Sequence, residues 1–245
     1  MAELSIPTSR FIEAEIAGKL KVVGTHAIGK DVTFKLLIAN LTTKSKVITA
    51  DIKASSILYT RKEIHEIFKE SRKISLRGCE VKEEPVIITY AQYDGLLTAD
   101  NAIEVTIVCS YEAVKGTIIV ENNVVLDNPT FEIKLKEPAL LNQPVKAEVI
   151  FTNPLNQEVS DIVVTAEGSG LLQDPITVKA GSVKPKETIS IPLIIIPYRS
   201  GPKHLLVDLT TDKFQNSKGF VEVEVREPEK DGKDEKNSLP PQLTL

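Results

Sequence analysis

The residues best able to act as nucleophiles are Cys79 and Cys109, and the candidate bases are His26, His65 and His204. A Cys–His pair could generate the thiolate needed for acyl transfer if the fold brought one of each together. Cys109 lies in an alternating apolar run, which predicts a strand with a buried, neutral and inert thiol. Cys79 lies in a polar stretch and could be exposed, but nothing near it in sequence would lower the pKa of its thiol. The sequence therefore indicates no catalytic cysteine, and two reduced thiols are favoured over a disulfide.

The other motifs that carry chemistry are missing from the sequence. Gly168-Ser169-Gly170 is too short for the Gly-x-Ser-x-Gly turn of serine hydrolases and is better interpreted as an ordinary turn. No glycine-rich phosphate loop and no calcium-binding loop occurs, and the histidines stand far apart. The acidic residues are scattered in a pattern typical of solvated strand faces. We therefore expect no catalytic residues, no cofactor and no metal.

Composition and charge exclude several classes of partner. The net charge of −4 provides no basic field for phosphate backbones or an anionic membrane face, so we expect neither nucleic acid nor membrane as a partner. No apolar run approaches the roughly 20 residues that span a bilayer. The N-terminal residues lack the basic and apolar regions of a secretory signal, so a cytoplasmic or leaderless extracellular location is expected.

The elements that position the cysteines and histidines are expected to be strands, because apolar residues alternate with polar ones through most of the chain. Hydrophobic residues make up 42% of the sequence, with no Trp and only 5% aromatics, so Val, Ile, Leu and Ala carry the core. The clearest alternating runs begin at Val32, Ile48, Ile103, Phe131, Val145, Ile189, Leu205 and Val221. This pattern predicts an all-β protein with antiparallel sheets. One segment, Arg61 to Ser71, is an exception: Ile64, Ile67 and Phe68 have helical spacing and favour a short helix there.

A weak internal repeat indicates two similar domains. The run from Val32 to Asn40 matches the run from Val145 to Asn153 at an offset of 113 residues, about the length of one domain. The predicted divisions are an N-terminal lead at 1–11, a first domain at 12–127, a second domain at 128–226 and a polar, disordered tail at 227–245.

Several ordered motifs then resemble one family, the animal transglutaminases, in the region of their two C-terminal β-barrels. The motifs are Ala27 to Val32, Ile38 to Thr42, Thr89-Tyr90-Ala91-Gln92-Tyr93, Asp100-Asn101, Leu126-Asp127-Asn128-Pro129, Phe151 to Leu155, Glu167 to Leu171 and Lys218-Gly219-Phe220. The resemblance covers roughly residues 12–226. It implies two tandem Ig-like antiparallel β-sandwich or barrel domains, and it replaces the local helix at Arg61–Ser71 by strand and loop.

The resemblance also bears on activity. Members of this family carry a Cys–His–Asp triad and calcium sites in a papain-like core, and neither cysteine here corresponds to that nucleophile. Some members bind a guanine nucleotide partly through an Arg and a Tyr, where this sequence has Asn122 and Val125. The resemblance therefore implies that the chain as given is not an enzyme, and it does not support GTP binding.

Three functions remain open on the sequence. The first is a non-catalytic regulatory or interaction module whose partner is a protein or a transglutaminase catalytic core. The second is a C-terminal fragment of a full calcium-dependent transglutaminase that crosslinks protein Gln to Lys. The third is a free-standing Ig-like adhesion or scaffold module, against which the ordered motifs argue.

A possible interface lies in the apolar run 191–197. Alternation would bury its odd-numbered residues up to 195 and expose Pro192, Ile194 and Ile196. Proline cannot donate to a sheet ladder, so this run suits an edge strand. Ile194 and Ile196 are then either covered by a neighbouring loop or form a contact patch toward a partner.

Overall fold

The computed structural model describes residues 15–111 and 116–228. The predicted lead at 1–11 and the predicted tail from residue 229 onward lie outside these residues. The first strands are β1 Ile16–Val23, β2 Val32–Asn40, β3 Lys46–Ile57, β4 Glu63–Leu76 and β5 Val81–Ile88; a single helical turn, α1 Tyr90–Tyr93, follows, and then β6 Ala102–Tyr111 and β7 Gly116–Val125. The remaining strands are β8 Phe131–Leu135, β9 Ala139–Leu140, β10 Val145–Thr152, β11 Val159–Glu167, β12 Ile176–Val183, β13 Thr188–Ile195, β14 Gly201–Thr210 and β15 Ser217–Arg226. The prediction of an all-β protein with two tandem Ig-like sandwiches is confirmed.

Strands β1–β7 form two sheets, which we call the first domain. Their orders are β1-β2-β5 and β4-β3-β6-β7, with every pairing antiparallel. Because side chains alternate along a strand, one face of each sheet carries the apolar residues and the two faces pack together. Phe34 of β2, Ile52 of β3 and Ile107 of β6 are buried in this core.

Polar side chains join the edges of these two sheets. Arg72 of β4 donates from Nη1 to the carbonyl oxygen of Pro85 in β5, at 2.7 Å. On the other side, Asn122 of β7 donates from Nδ2 to the carbonyl oxygen of Leu20 in β1, at 3.1 Å. Each bond satisfies an edge carbonyl that would otherwise be open to pairing with another strand.

The helix favoured locally at Arg61–Ser71 is wrong, because residues 63–71 belong to the long strand β4. The strand pairs with β3, but Ile64 and Ile67 have no partner in the register: His65 and Glu63 pair on either side of one, and Phe68 and Glu66 on either side of the other. Each is therefore the extra residue of a β-bulge, which interrupts period-two alternation. The two bulge residues, Ile64 and Ile67, are three positions apart, and with Phe68 they produce a spacing that resembles that of a helix.

Strands β8–β15 form the second domain. Its sheets are β13-β10-β8 and β12-β11-β14-β15-β9, antiparallel except for the short β15–β9 pair. Phe151 of β10 packs edge-to-face against Phe214, with ring centroids 6.3 Å apart. Both rings are fully buried and anchor a core made otherwise of Val, Ile, Leu and Ala.

The repeated asparagines have the same structural role in both domains. Asn40 donates from Nδ2 to the carbonyl of Lys44 and accepts the Thr42 N–H at Oδ1. Asn153 likewise donates to the carbonyl of Gln157 and accepts the Leu155 N–H. Each side chain is buried and organises the loop that follows its strand.

Candidate functional site

The joint between the two domains begins with the short helix α1. The Thr89 N–H donates to Oε1 of Gln92 at 2.8 Å, which satisfies one free donor at the start of the helix. Tyr90 and Asp94 lie four residues apart and therefore project from the same side. The Tyr90 hydroxyl donates to Oδ1 of Asp94 at 2.9 Å.

The second domain contributes Gln157 and Lys213 to this cluster. Gln157 donates from Nε2 to the Tyr90 hydroxyl oxygen at 2.6 Å and to Oδ2 of Asp94 at 3.2 Å. Nζ of Lys213 lies 3.3 and 3.4 Å from the two Asp94 oxygens. Burial alone would raise the pKa of Asp94, but bonds from Gln157 and Tyr90 and the charge of Lys213 outweigh it, so its pKa lies below its ordinary value. Asp94 is thus an ionised acceptor shared by both domains.

A second contact of the joint needs a glycine. Gly29 has a φ of +91°, in the left-handed region that favours glycine. A Cβ at this position would lie 2.3 Å from Cδ2 of Leu155, so the Leu155 side chain occupies the space left by the missing side chain. The Gly29 N–H donates to the Tyr93 hydroxyl at 3.0 Å, and that hydroxyl donates to the carbonyl of Lys30 at 2.7 Å. Leu155 and Gln157 reach the first domain together because both lie on the loop folded around Asn153.

A third contact is made by amide side chains. Asn101 donates from Nδ2 to Oδ1 of Asn128 at 3.0 Å, and Asn128 donates in turn to the carbonyl of Gln215 at 2.8 Å. A polar depression of about 140 Å³ lies between these residues and Lys213. Three separate contacts therefore join the two domains at this boundary.

Sequence reasoning quoted Tyr90 and Tyr93 only as parts of a family motif, and it missed Asp94, Gln157 and Lys213. Gln157 and Lys213 lie in loops that are 63 and 119 positions away from Asp94 in the sequence. Polar residues in loops give no periodic signal, so only the repeat, which places Gln157 four residues after Asn153, could have pointed to one of them.

The thiols lie where the sequence placed them. Cys109 is fully buried, and its burial, followed by the nearby carboxylate of Asp51, raises the pKa of its thiol to about 11. Cys79 is exposed in the turn between β4 and β5, where its Sγ is 3.7 Å from the carbonyl oxygen of Thr42. Within residues 15–111 and 116–228, no bond joins either cysteine to a histidine.

Two further searches of the described residues found nothing. No group of three His, Cys, Asp or Glu side chains that could hold a metal ion occurs in 15–111 or 116–228. The part of the chain with described structure also contains no helix long and apolar enough to cross a membrane.

The possible interface residues Ile194 and Ile196 are 58% and 54% exposed, so in the described structure no loop covers them. Ile194 lies on β13, which pairs only with β10 and is an edge strand of its sheet. Ile194 lies opposite Lys146 of β10, and Pro192 lies opposite Glu148. A partner approaching this edge would meet apolar side chains beside charged groups of both signs.

The positions considered for a nucleotide have other surroundings. Asn122 has its side-chain amide bonded to the carbonyl of Leu20, so it contributes to closing the first sandwich. Val125 is exposed at the end of β7. That GTP does not bind at Asn122 and Val125 stays a prediction.

Comparisons with known proteins agree with this fold. The model of the transglutaminase family, C-terminal Ig-like domain, matches residues 16–119 and 129–227. Protein-glutamine gamma-glutamyltransferase E of Mus musculus is 39% identical over 215 residues, which are 88% of this chain and 31% of that protein. Protein-glutamine gamma-glutamyltransferase 6 of Homo sapiens is 37% identical over 211 residues, 86% of this chain and 30% of that protein.

A solved structure is similar as well. The crystal structure of red sea bream transglutaminase superimposes with a TM-score of 0.74 at 23% identity, over 87% of this chain and 31% of that chain. At this identity the likeness concerns the fold. The chain spans about a third of the length of the curated relatives it matches.

Proposed function

The chain belongs to the transglutaminase family, in which it corresponds to the C-terminal Ig-like region, and on this premise we propose that it is a non-catalytic interaction module. Its proposed partner is a protein, specifically the catalytic core of a transglutaminase. The regulatory role then consists of binding that core in one orientation. No cofactor is needed for such a role.

The observation that carries this proposal is the exposed pair formed by Ile194 on the edge strand β13 and Ile196 just after its end. Both branched side chains keep more than half of their surface in water, although the same strand buries its alternate residues. Covering apolar surface gains about 25 cal/mol per Å², so this strip is a favourable place for a partner. Pro192 lacks an N–H, which disfavours strand addition and favours contact through side chains.

The interdomain joint supports the same proposal. Gln157 and Lys213 bind Asp94 across the boundary, and these bonds favour one position of the strip on the second domain relative to the first domain. A partner that contacts both domains would therefore not have to order them on binding, and less entropy would be lost.

The proposed absence of catalysis rests on the thiols. A nucleophilic cysteine needs a neighbouring base or a lowered pKa, whereas the pKa of Cys109 is raised and, among the described residues, no histidine is bonded to Cys79. Incubation of the full chain with calcium, a glutamine-bearing protein and a labelled primary amine should give no incorporation. Calcium-dependent incorporation that disappears in Cys79→Ala would refute this part of the proposal.

The interaction itself can be tested with the catalytic core of protein-glutamine gamma-glutamyltransferase E added in trans. We expect the full chain to bind this core, and Ile194→Lys with Ile196→Lys to weaken the binding without changing the circular dichroism spectrum. The matched control is Val47→Lys with Val81→Lys, since these valines are 57% and 65% exposed on the first domain.

A second candidate function is that the chain is the C-terminal fragment of a full calcium-dependent transglutaminase that crosslinks protein Gln to Lys. The observation that favours it is the span of about 31% of the matched relative. An antibody raised against residues 15–228 distinguishes the two by the size of the native protein it detects. A product about three times as long as this chain, with incorporation activity, would establish the fragment.

A further inference from the structure

The outer face of β14 and β15 carries large apolar side chains in water. Leu206 of β14 and Phe220 of β15 lie opposite each other in the strand register, and they are 45% and 70% exposed. The neighbouring residues of β14, Leu205 and Val207, are buried in the core. The Leu206–Phe220 pair therefore belongs to the solvent side of the sheet and contributes nothing to the interior. It lies on the sheet opposite to that of Ile194 and Ile196.

Two depressions adjoin on this face and share Leu206 and Glu167. The first, of about 410 Å³, extends toward Asp208 and Lys218. The second, of about 400 Å³, extends toward Leu172 and Tyr198. Together they form one continuous groove, which we call the β14 groove, with Leu206 and Glu167 at its middle.

The wall of the second depression is built by a tight turn. The N–H groups of Leu171 and Leu172 both donate to the carbonyl of Gly168. The N–H of Tyr198 donates to the carbonyl of Gly170, which has a φ of +86°. The Gly168-Ser169-Gly170 segment that the sequence offered only as a turn thus fixes Leu172 and Tyr198 at one end of the groove.

The charges lining the β14 groove are mainly negative. Three carboxylates line it, Asp208, Glu167 and Asp174, against the single ammonium group of Lys218. Oδ1 of Asp208 is buried and has no hydrogen-bond partner among the residues that the structure describes. A buried carboxylate oxygen without a donor is costly, and a ligand that supplies an N–H would relieve that cost.

We propose that the β14 groove binds an extended peptide segment in which a basic residue lies between two apolar ones. Alternate residues of an extended peptide point to the same side, so two apolar side chains four positions apart would enter the two depressions. The residue midway between them would face Glu167 at the centre of the groove. A lysine or arginine there complements the carboxylates. Leu206, which lines both depressions, covers the apolar side chains, and Phe220 lies beside it on the same face.

The test uses the full chain and a capped, fluorescein-labelled peptide of sequence Ser-Leu-Ser-Lys-Ser-Leu-Ser, with fluorescence anisotropy as the readout. We expect saturable binding, and about fivefold weaker binding when the peptide's lysine is replaced by glutamate. Leu206→Ser with Phe220→Ser should weaken binding about tenfold. Val47→Ser with Val81→Ser, at exposed valines of the first domain, is the matched control and should leave the affinity unchanged.

A charge reversal distinguishes specific recognition of the peptide from non-specific binding. In Glu167→Lys with Asp208→Lys, the peptide carrying glutamate should bind better than the peptide carrying lysine. The proposal is overturned if no peptide binds, if lysine and glutamate peptides bind the unaltered chain equally, or if the Leu206 and Phe220 substitutions have no effect. These results are independent of binding to a catalytic core, because Ile194 and Ile196 lie outside the β14 groove.

Discussion

Gln157 of the second domain donates a 2.6 Å hydrogen bond from Nε2 to the hydroxyl oxygen of Tyr90 in the first domain. The carbonyl oxygen of the same glutamine accepts a hydrogen bond from the buried side chain of Asn153. The repeated asparagine of the second domain therefore positions Gln157, which binds the first domain. The loop after Asn153 thus links the internal order of one domain to its contact with the other.

Replacing Gln157 by Leu should loosen the two domains. The substitution removes the donor to Tyr90 and Asp94 and leaves a partly buried carboxylate with fewer partners, which costs about 1–3 kcal/mol. We expect a lower midpoint of denaturant unfolding and a larger radius of gyration in X-ray scattering. The control is Gln143→Leu, since Gln143 is exposed and its side chain makes no such bonds within 15–111 and 116–228. Equal behaviour of the two variants would contradict the assigned role of Gln157.

Gly29→Ala should destabilise the chain more than Gly24→Ala. Both glycines have positive φ, +91° and +87°, so the backbone strain of alanine is similar at the two sites. Only at Gly29 would the new methyl group collide with Leu155, whereas nothing lies within 4 Å at Gly24. The extra loss in free energy of unfolding should be about 1–3 kcal/mol, the usual cost of overpacking. If the two variants lose the same free energy of unfolding, Leu155 does not pack against Gly29.

The two thiols should react at very different rates. Cys79 is exposed and should be alkylated by iodoacetamide in the native protein. Burial raises the pKa of Cys109 to about 11, so at pH 8 this thiol is protonated as well as inaccessible. Mass spectrometry should find one modified cysteine under native conditions and two in denaturant. Native alkylation of Cys109 would show that β6 is less well packed than the structure indicates.

GTP should not bind with micromolar affinity. Such an affinity requires about 8 kcal/mol of binding free energy, and the positions considered for it hold an amide and an aliphatic side chain. The Asn122 amide is already bonded to the carbonyl of Leu20, so it is not available to a phosphate. Titration calorimetry of the full chain with GTP, alone and with magnesium, should show no saturable heat. A micromolar Kd would mean that another surface of the chain holds the nucleotide.

Most of the fold could be predicted from the sequence because its strands alternate. Runs such as Val32 to Ile38 bury one face fully and leave the other half-buried, which gives the period-two pattern. The prediction from local spacing failed at Ile64 and Ile67, which are bulge residues without cross-strand partners. A bulge depends on the register with another strand, and local spacing carries no information about register.

The candidate sites likewise divide into those that local patterning predicts and those that depend on tertiary contacts. Alternation predicted that Ile194 and Ile196 point away from the core but left open whether a neighbouring loop covers them, and both residues are exposed. The joint around Asp94 could not be predicted, since its members are brought together only by the packing of two domains. The pair Leu206 and Phe220 was overlooked because single exposed apolar residues are common, and only the register of β14 with β15 places the two together.

The proposed function is tested most directly by sedimentation velocity of the full chain mixed with a transglutaminase catalytic core. The unaltered chain and the Val47→Lys, Val81→Lys control should co-sediment with the core. Ile194→Lys with Ile196→Lys should weaken the complex about tenfold, because burial of two half-exposed isoleucines is lost. Co-sedimentation of all three proteins to the same extent would contradict the interface, and no complex with any of them would contradict the interaction module itself.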